Sequence, residues 1–413
     1  MAGCNNILDL PVEAISLIFS YVEELNDRLR LAQAHPKLAK GFSHYAANAH
    51  CNVDCDELPI SYWSKILYDA GASVVSISLR KKCHVVALLK LAADHCPNLE
   101  ELNIQIQCEY WGVIAPLLSS LKTLSRISLQ NNFVGVDFID TLHELPLLRS
   151  LLLFGFPNKN LRRIHELYWL TTLRIINRKA IDVCLWFAPL KNLINMEILI
   201  AYVGCPDIPH CKNLWPKMEL LNITYATFPS EKCQNRRGLP YLPSLKQLNI
   251  EETIPLMKLS QVFGSSVSKY ANTLCRIRFL YEGQALDADD ANTISKLKAL
   301  THACLPGVSN KFIGLIKSDS LQELFVRHSD NLTNSGILRV LSGCKNLRVI
   351  DFYGCKFINK KMVEPALMIL KKNGVEADKP VEMRVNYEFG THISFYDPTL
   401  LVIRQSTADG HLI

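Results

Sequence analysis

No stretch of this sequence approaches the roughly 20 uninterrupted apolar residues that a membrane helix needs, and its mean hydropathy is only +0.09. The N-terminus has no basic stretch followed by an apolar core, because Asn5, Asn6, Asp9 and Glu13 interrupt it. No secretory leader is expected, and the cytoplasm or nucleus is the expected compartment. The net charge is mild. The chain carries 45 basic and 39 acidic residues, a net +6, with no Lys/Arg run and no nucleic-acid-binding signature, so a nucleic-acid partner is not expected.

Catalytic signatures are missing as well. There is no phosphate-binding Gly-rich loop, no Gly-x-Ser-x-Gly elbow and no His-Glu-x-x-His pair, so no catalytic residue and no cofactor are expected. Three clusters hold metal-ligand residue types: His50 and Cys51 with Cys55, Cys83 beside His84, and Cys205 with His210 and Cys211. None has the paired Cys-x-x-Cys spacing of a zinc site. Asp287, Asp289 and Asp290 lack the Gly and closing Glu of a calcium loop and read as a solvated loop. No metal centre is expected.

Cysteine is not scarce, at 14. In a chain read as non-secreted these are reduced thiols that pack as small apolar residues. The net charge hides a division: residues 1–56 hold four basic and seven acidic side chains, leaving about +9 for the remainder.

What dominates the chain is a period. Apolar anchors recur at i, i+3 and i+5: Leu99, Leu102 and Ile104; Leu124, Ile127 and Leu129; Leu148, Leu151 and Leu153; Leu170, Leu173 and Ile175. Further copies begin at Leu193, Met218, Leu245, Leu274, Leu321 and Leu347; Val74 starts a first one, and Leu300, Ala303 and Leu305 form a degenerate one. First anchors follow one another at intervals of 21 to 29 residues. Anchors at i, i+3 and i+5 do not trace a helix face, whereas i+3 and i+5 alternate correctly for a short strand. Each unit then reads as turn, strand and return helix; Val136, Ile139 and Leu142 supply the helical half of one of them. A single unit cannot bury its apolar edge, and stacked units can.

This period and pattern are those of leucine-rich repeats. The expected fold class is α/β: a leucine-rich-repeat solenoid of about twelve repeats over 73–378, a ribonuclease-inhibitor-like horseshoe, with a small all-α module at 5–48, a linker or cap at 49–72 and a terminal cap at 379–413. Cys344 before Leu347, and Cys355 after the strand, resemble the cysteine-containing subtype of these repeats; the resemblance implies that both are packed inside the turn stack. Val381 to Phe389 alternates apolar and polar residues and reads as a strand, which either closes the stack or crosses its face.

Residues 7–47 stand outside the repeat. Pro11 suits a first helical position, with Glu13 placed to reach the Leu10 amide. A second helix is expected near Asp27, and Pro36 opens a third. Ile15, Ile18, Phe19 and Val22 form a core stripe on the first helix, yet Ala14, Leu17 and Tyr21 make its other side apolar too. So small a module cannot bury both sides, and the surplus points to a partner.

The run Leu10, Pro11 and Glu13, then Ile18 to Tyr21, then Asp27 to Ala32, resembles an F-box. After residue 33 the sequence departs: Ala34, His35, Pro36, Lys37 and Leu38 stand where the family carries a Cys and a Trp. The resemblance, to F-box/leucine-rich-repeat proteins, implies docking on the Skp-family adaptor, and through it on a cullin scaffold, by Leu10, Pro11, Ile15, Ile18, Phe19, Leu29 and Leu31. It implies a non-catalytic receptor that presents a protein cargo for ubiquitin-dependent degradation. The other reading is a repeat scaffold or inhibitor whose first helices only cap the stack.

Residues between and just after the second and third anchors face outward on the strand sheet, the concave face of such a solenoid. Most are polar, among them Ser78, Arg80, Asn103, Gln105, Asn222, Glu251 and Asp351. Leu152, Phe154, Ile176, Phe325 and Tyr353 are apolar or aromatic, and Arg174, Arg278 and Arg327 lie among them. Aromatic residues and Arg are favoured interface anchors, so these eight form the expected cargo site.

Overall fold

The computed structural model describes residues 6–49, 52–55, 59–79, 84–106, 108–131, 137–203, 214–227, 239–254, 258–280, 286–386 and 397–405. Val136, Arg80 and the metal-type residues His50, Cys51, Cys83, Cys205, His210 and Cys211 lie outside them. The chain divides into two compact units, Met1–Asn177 and Arg178–Ile413.

The first unit opens with helices α1 (Val12–Tyr21), α2 (Leu25–Ala34) and α3 (Pro36–Ala49). α1 and α2 both pack on α3. Strands and helices then alternate: β1 (Asn52–Asp54), α4 (Ile60–Ala70), β2 (Ser76–Leu79), α5 (Val85–His95), β3 (Glu101–Ile106), α6 (Trp111–Ser120), β4 (Arg126–Asn131), α7 (Ile139–His143), β5 (Ser150–Phe154), α8 (Asn158–Leu161) and β6 (Thr172–Ile176). The strands pair in parallel in sequence order, with Ile77, Leu102, Ile127, Leu151 and Leu173 in one register row. These second anchors and the third anchors Leu79, Ile104, Leu129, Leu153 and Ile175 are buried.

The second unit repeats the scheme. It holds β7 (Ile181–Asp182), α9 (Val183–Trp186), β8 (Asn195–Tyr202), β9 (Leu220–Thr227), β10 (Gln247–Ile254), α10 (Leu259–Phe263), α11 (Val267–Tyr270), β11 (Arg276–Phe279), α12 (Ala288–Ser295) and β12 (His302–Cys304). It continues with α13 (Asn310–Ile313), β13 (Glu323–Phe325), α14 (Asn334–Gly343), β14 (Val349–Asp351), α15 (Val363–Lys372), β15 (Val381–Val385) and β16 (Leu401–Gln405). From β8 onward each strand pairs in parallel with the next. Each unit is thus a leucine-rich-repeat-like array of parallel strands backed by helices. The degenerate copy at Leu300 folds like its neighbours, its anchors Leu300, Ala303 and Leu305 all buried.

One turn recurs before the strands. The first-anchor amide donates to the carbonyl three residues earlier: Leu99 to Cys96, Leu124 to Leu121, Leu148 to Leu145, Leu245 to Leu242, Leu347 to Cys344. Side chains then tie successive turns together. Thr123 Oγ1 donates to Leu99 O at 2.7 Å, Ser320 Oγ to Leu300 O at 2.9 Å, and Asn346 Nδ2 to Asp319 O at 2.6 Å. Each supplies a partner to a carbonyl that the strand ladder leaves over.

The segment 49–72, read from the sequence as a linker or cap, contains β1 and α4, and β1 pairs with β2. The tail folds into β15 and β16, which extend the ladder edge to edge with β14. Glu13 does not close a capping box: Pro11 has no side-chain cap, and the Leu10 amide donates to Ile7 O at 3.3 Å.

Candidate functional site

The helical module places its apolar residues in two groups. Ile15 and Phe19 have no exposed surface. Phe19 meets Phe42 edge to face at 5.5 Å between ring centres and stacks on Tyr45 at 6.2 Å, while Arg28 lies over the Tyr45 ring at 5.1 Å. Gly41 of α3 faces Ile15 so closely that a Cβ there would overlap Ile15 Cγ2. Leu10, Ile18, Leu29 and Leu31 are half-buried and Pro11 is exposed. In this packing Ile15 and Phe19 serve any partner only by holding α1 in place, because neither presents surface to it.

The exposed apolar residues of α1 are Leu17, 59% exposed, and Tyr21, 78% exposed. They lie four residues apart on one helical face. The sequence pattern marks this side as surplus, whereas the adaptor contacts implied by the F-box resemblance include the buried Ile15 and Phe19.

Unit by unit, the strand registers assemble the expected cargo residues. In the first unit Leu152 pairs with Arg174 and Phe154 with Ile176 across β5 and β6. Phe154 is 43% exposed, Leu152 and Ile176 are half-buried, and Arg174 is exposed. Toward β3 the same face carries Asn103, Gln105, Ser128 and Gln130 in register. Nearer the strand starts, Arg126 and Glu101 form an ion pair.

In the second unit Arg278, Cys304, Phe325, Asp351 and Arg384 form one register row across β11 to β15. This face is largely satisfied within itself. Arg327 binds Asp351 through Nε at 2.9 Å and Nη2 at 2.5 Å. Asp351, expected at the solvent face, is fully buried, and its other oxygen accepts from the Tyr353 amide at 3.0 Å. Arg384 covers the Phe325 ring at 5.7 Å and binds Glu382 at 2.6 Å; Arg404 binds Glu382 at 3.0 Å. Tyr353 packs edge on against His328, and Arg278 is 3.9 Å from Glu251. Arg384, Glu382 and Arg404 escaped the sequence reading because the tail falls out of the anchor spacing; its two-residue alternation was the available signal.

Cys344 and Cys355 are buried at the turns. Cys355 Sγ donates to Val326 O at 3.2 Å, and burial pushes both thiols up to about 11. Asp287 caps α12, its carboxylate accepting from the amides of Asp289 and Asp290, and it pairs with Lys258. The Lys258 ammonium holds the Asp287 carboxyl below its usual range, while burial raises Asp290. Among the described residues no helix is long and apolar enough to cross a membrane.

No family model and no curated protein matches the chain. Among solved structures it is similar to the crystal structure of the Rad7 and Elc1 complex in yeast, at 16% identity and a TM-score of 0.47, over 85% of this chain and 90% of that one.

Proposed function

We propose that this chain is a non-catalytic substrate receptor. Its F-box-like module docks on a Skp-family adaptor, and through it on a cullin scaffold, while the outward strand face holds a protein cargo for ubiquitin-dependent degradation in the cytoplasm or nucleus. The chain then works by tethering, raising the effective concentration of cargo near the conjugating machinery. The observation that carries this reading is the α1 surface: Leu17 and Tyr21 stay exposed although Ile15 and Phe19 already fill the module's interior. A small helical domain that leaves two large apolar side chains on one face presents a docking surface.

A second reading is a repeat scaffold or inhibitor with a helical cap. It draws support from the packing of α3 on α4, which places the module against the first strand–helix unit. Co-purification with the adaptor separates the two. The receptor reading expects a complex with the intact chain that is lost on Leu17→Asp with Tyr21→Ser, two exposed substitutions that spare the core. If the intact chain forms no complex, the scaffold reading takes its place.

A further inference from the structure

On the helical side of the second unit, away from the strand face, an open cavity of about 380 Å³ is lined by Lys317, Arg339, Ser342, two glycines and three aliphatic side chains. The lining contains two cations and no carboxylate. Among the described residues neither Lys317 nor Arg339 has an acidic side chain within ion-pair reach, although the Lys and Arg residues on the strand face are mostly paired. The two glycines shape the pocket. A Cβ at Gly314 would stand 3.0 Å from Arg339 Cδ and 3.4 Å from its Nη1, so the arginine lies flat against this backbone. A Cβ at Gly343 would meet Ile316 O at 2.8 Å and Lys317 Cγ at 3.6 Å. Ile316, Leu338 and Ile369 supply the apolar part of the wall, and Ser342 Oγ, now donating to Leu338 O at 2.9 Å, is the neutral polar group beside the cations.

We propose that this cavity is a binding site for a phosphate monoester. Charge selects the class. A phosphate monoester carries about −1.5 to −2 at neutral pH and offers three acceptor oxygens, which matches two unpaired cations. A carboxylate neutralises only one of them. Arg339 supplies the planar fork suited to bidentate binding of phosphate oxygens, and Lys317 supplies a mobile point charge. The apolar wall accommodates the carbon skeleton that carries the phosphate. The site lies on the helices, so it is independent of the receptor reading and of the strand-face cargo.

The same chemistry is offered by a phosphoserine side chain of a protein and by a free phosphorylated metabolite, and the test separates them. The full-length protein is titrated calorimetrically with a phosphoserine peptide, its unphosphorylated counterpart, O-phospho-L-serine and inorganic phosphate. Binding of the phosphorylated ligands and not of the unphosphorylated peptide is expected. Lys317→Ala and Arg339→Ala should each weaken it by about tenfold, the loss of one charge-assisted hydrogen bond. A peptide that binds at least about tenfold tighter than O-phospho-L-serine assigns the site to a protein partner; equal affinities assign it to a small molecule. Both side chains are exposed, so the variants should keep the parent melting temperature. The proposal is overturned if no phosphorylated ligand binds, or if binding survives both substitutions in variants that melt like the parent.

Discussion

Arg327 closes over Asp351 from the turn that follows the neighbouring strand β13, with two of its nitrogens within 2.9 Å of one carboxylate oxygen and the Asp351 side chain wholly shielded from solvent. A buried carboxylate without its cation is expensive, so removing only the cation destabilises more than the pair itself stabilises. Arg327→Ala should lower unfolding free energy by about 3 kcal/mol, read from urea denaturation. Asp351→Asn with Arg327→Met, which removes both charges, should cost clearly less. Equal losses would show that the pair adds no strain when broken. Arg327 therefore has a structural task, and charge reversal there is a poor probe of cargo binding.

The contact of Gly41 with Ile15 yields a second expectation. A methyl group at position 41 would overlap Ile15 Cγ2 and come within 2.9 Å of its Cβ, forcing α1 away from α3. Overpacking of this kind costs about 1–3 kcal/mol. Gly41→Ala should speed amide exchange across residues 12–46 and weaken adaptor retention without changing a residue that a partner could touch. Unchanged exchange would mean that the helices have slack there.

How much of this could be read from the sequence depends on how local the determinant is. The anchors at i, i+3 and i+5 are local, so Leu102 and Ile104 or Ile350 and Phe352 could be placed in the core from spacing alone, and all four are buried. The anchor pattern puts Asp351 at the solvent face, because its cation, Arg327, lies 24 residues upstream in the turn after β13 and meets it only in the folded stack. β1 and α4 were hidden because the unit has Val53 as its buried strand residue and carries its apolar content on α4, in Trp63, Ile66 and Leu67. On α1 both faces are apolar: the helical stripe already points Ile15 and Phe19 inward and leaves Leu17 and Tyr21 as surplus, and what packs on the helix sets which face stays exposed. α3 decides it, since Gly41 and Phe42 accept one face only.

Alkaline pH offers a third test. Burial raises the Cys96 thiol from 9.0 to about 12, and raises Cys344 and Cys355 to about 11. In the unfolded chain these thiols ionise near 9, while in the folded chain they remain protonated. Folding is then opposed as pH rises, because the unfolded state sheds protons that the folded state keeps. Stability contributed by these thiols is fully present below pH 9 and should fall between pH 9 and about 12. Cys344→Ala with Cys355→Ala should flatten that fall in pH-dependent thermal melts. In the native protein all three should resist alkylation at pH 8, since thiolate is the reactive form; rapid labelling would contradict their burial.

Phe154 and Phe325 occupy outward strand positions in their respective units, but their surroundings differ. Phe325 lies beneath Arg384, whose guanidinium is already bound to Glu382. Phe154 is 43% exposed, beside Ile176 and next to the uncharged Gln130. A partner that covers Phe154 gains apolar burial and need break no ion pair to do so, whereas covering Phe325 requires displacing a bonded guanidinium. Phe154→Ser should therefore change stability by no more than about 0.5 kcal/mol while reducing recovery of cargo in proximity labelling with the full-length chain. Under the proposed receptor reading, adaptor binding through α1 should not change. Phe325→Ser should do the reverse, costing stability through the lost ring packing and affecting cargo recovery less. If Phe154→Ser leaves the labelled set intact, the cargo footprint lies elsewhere than β5 and β6.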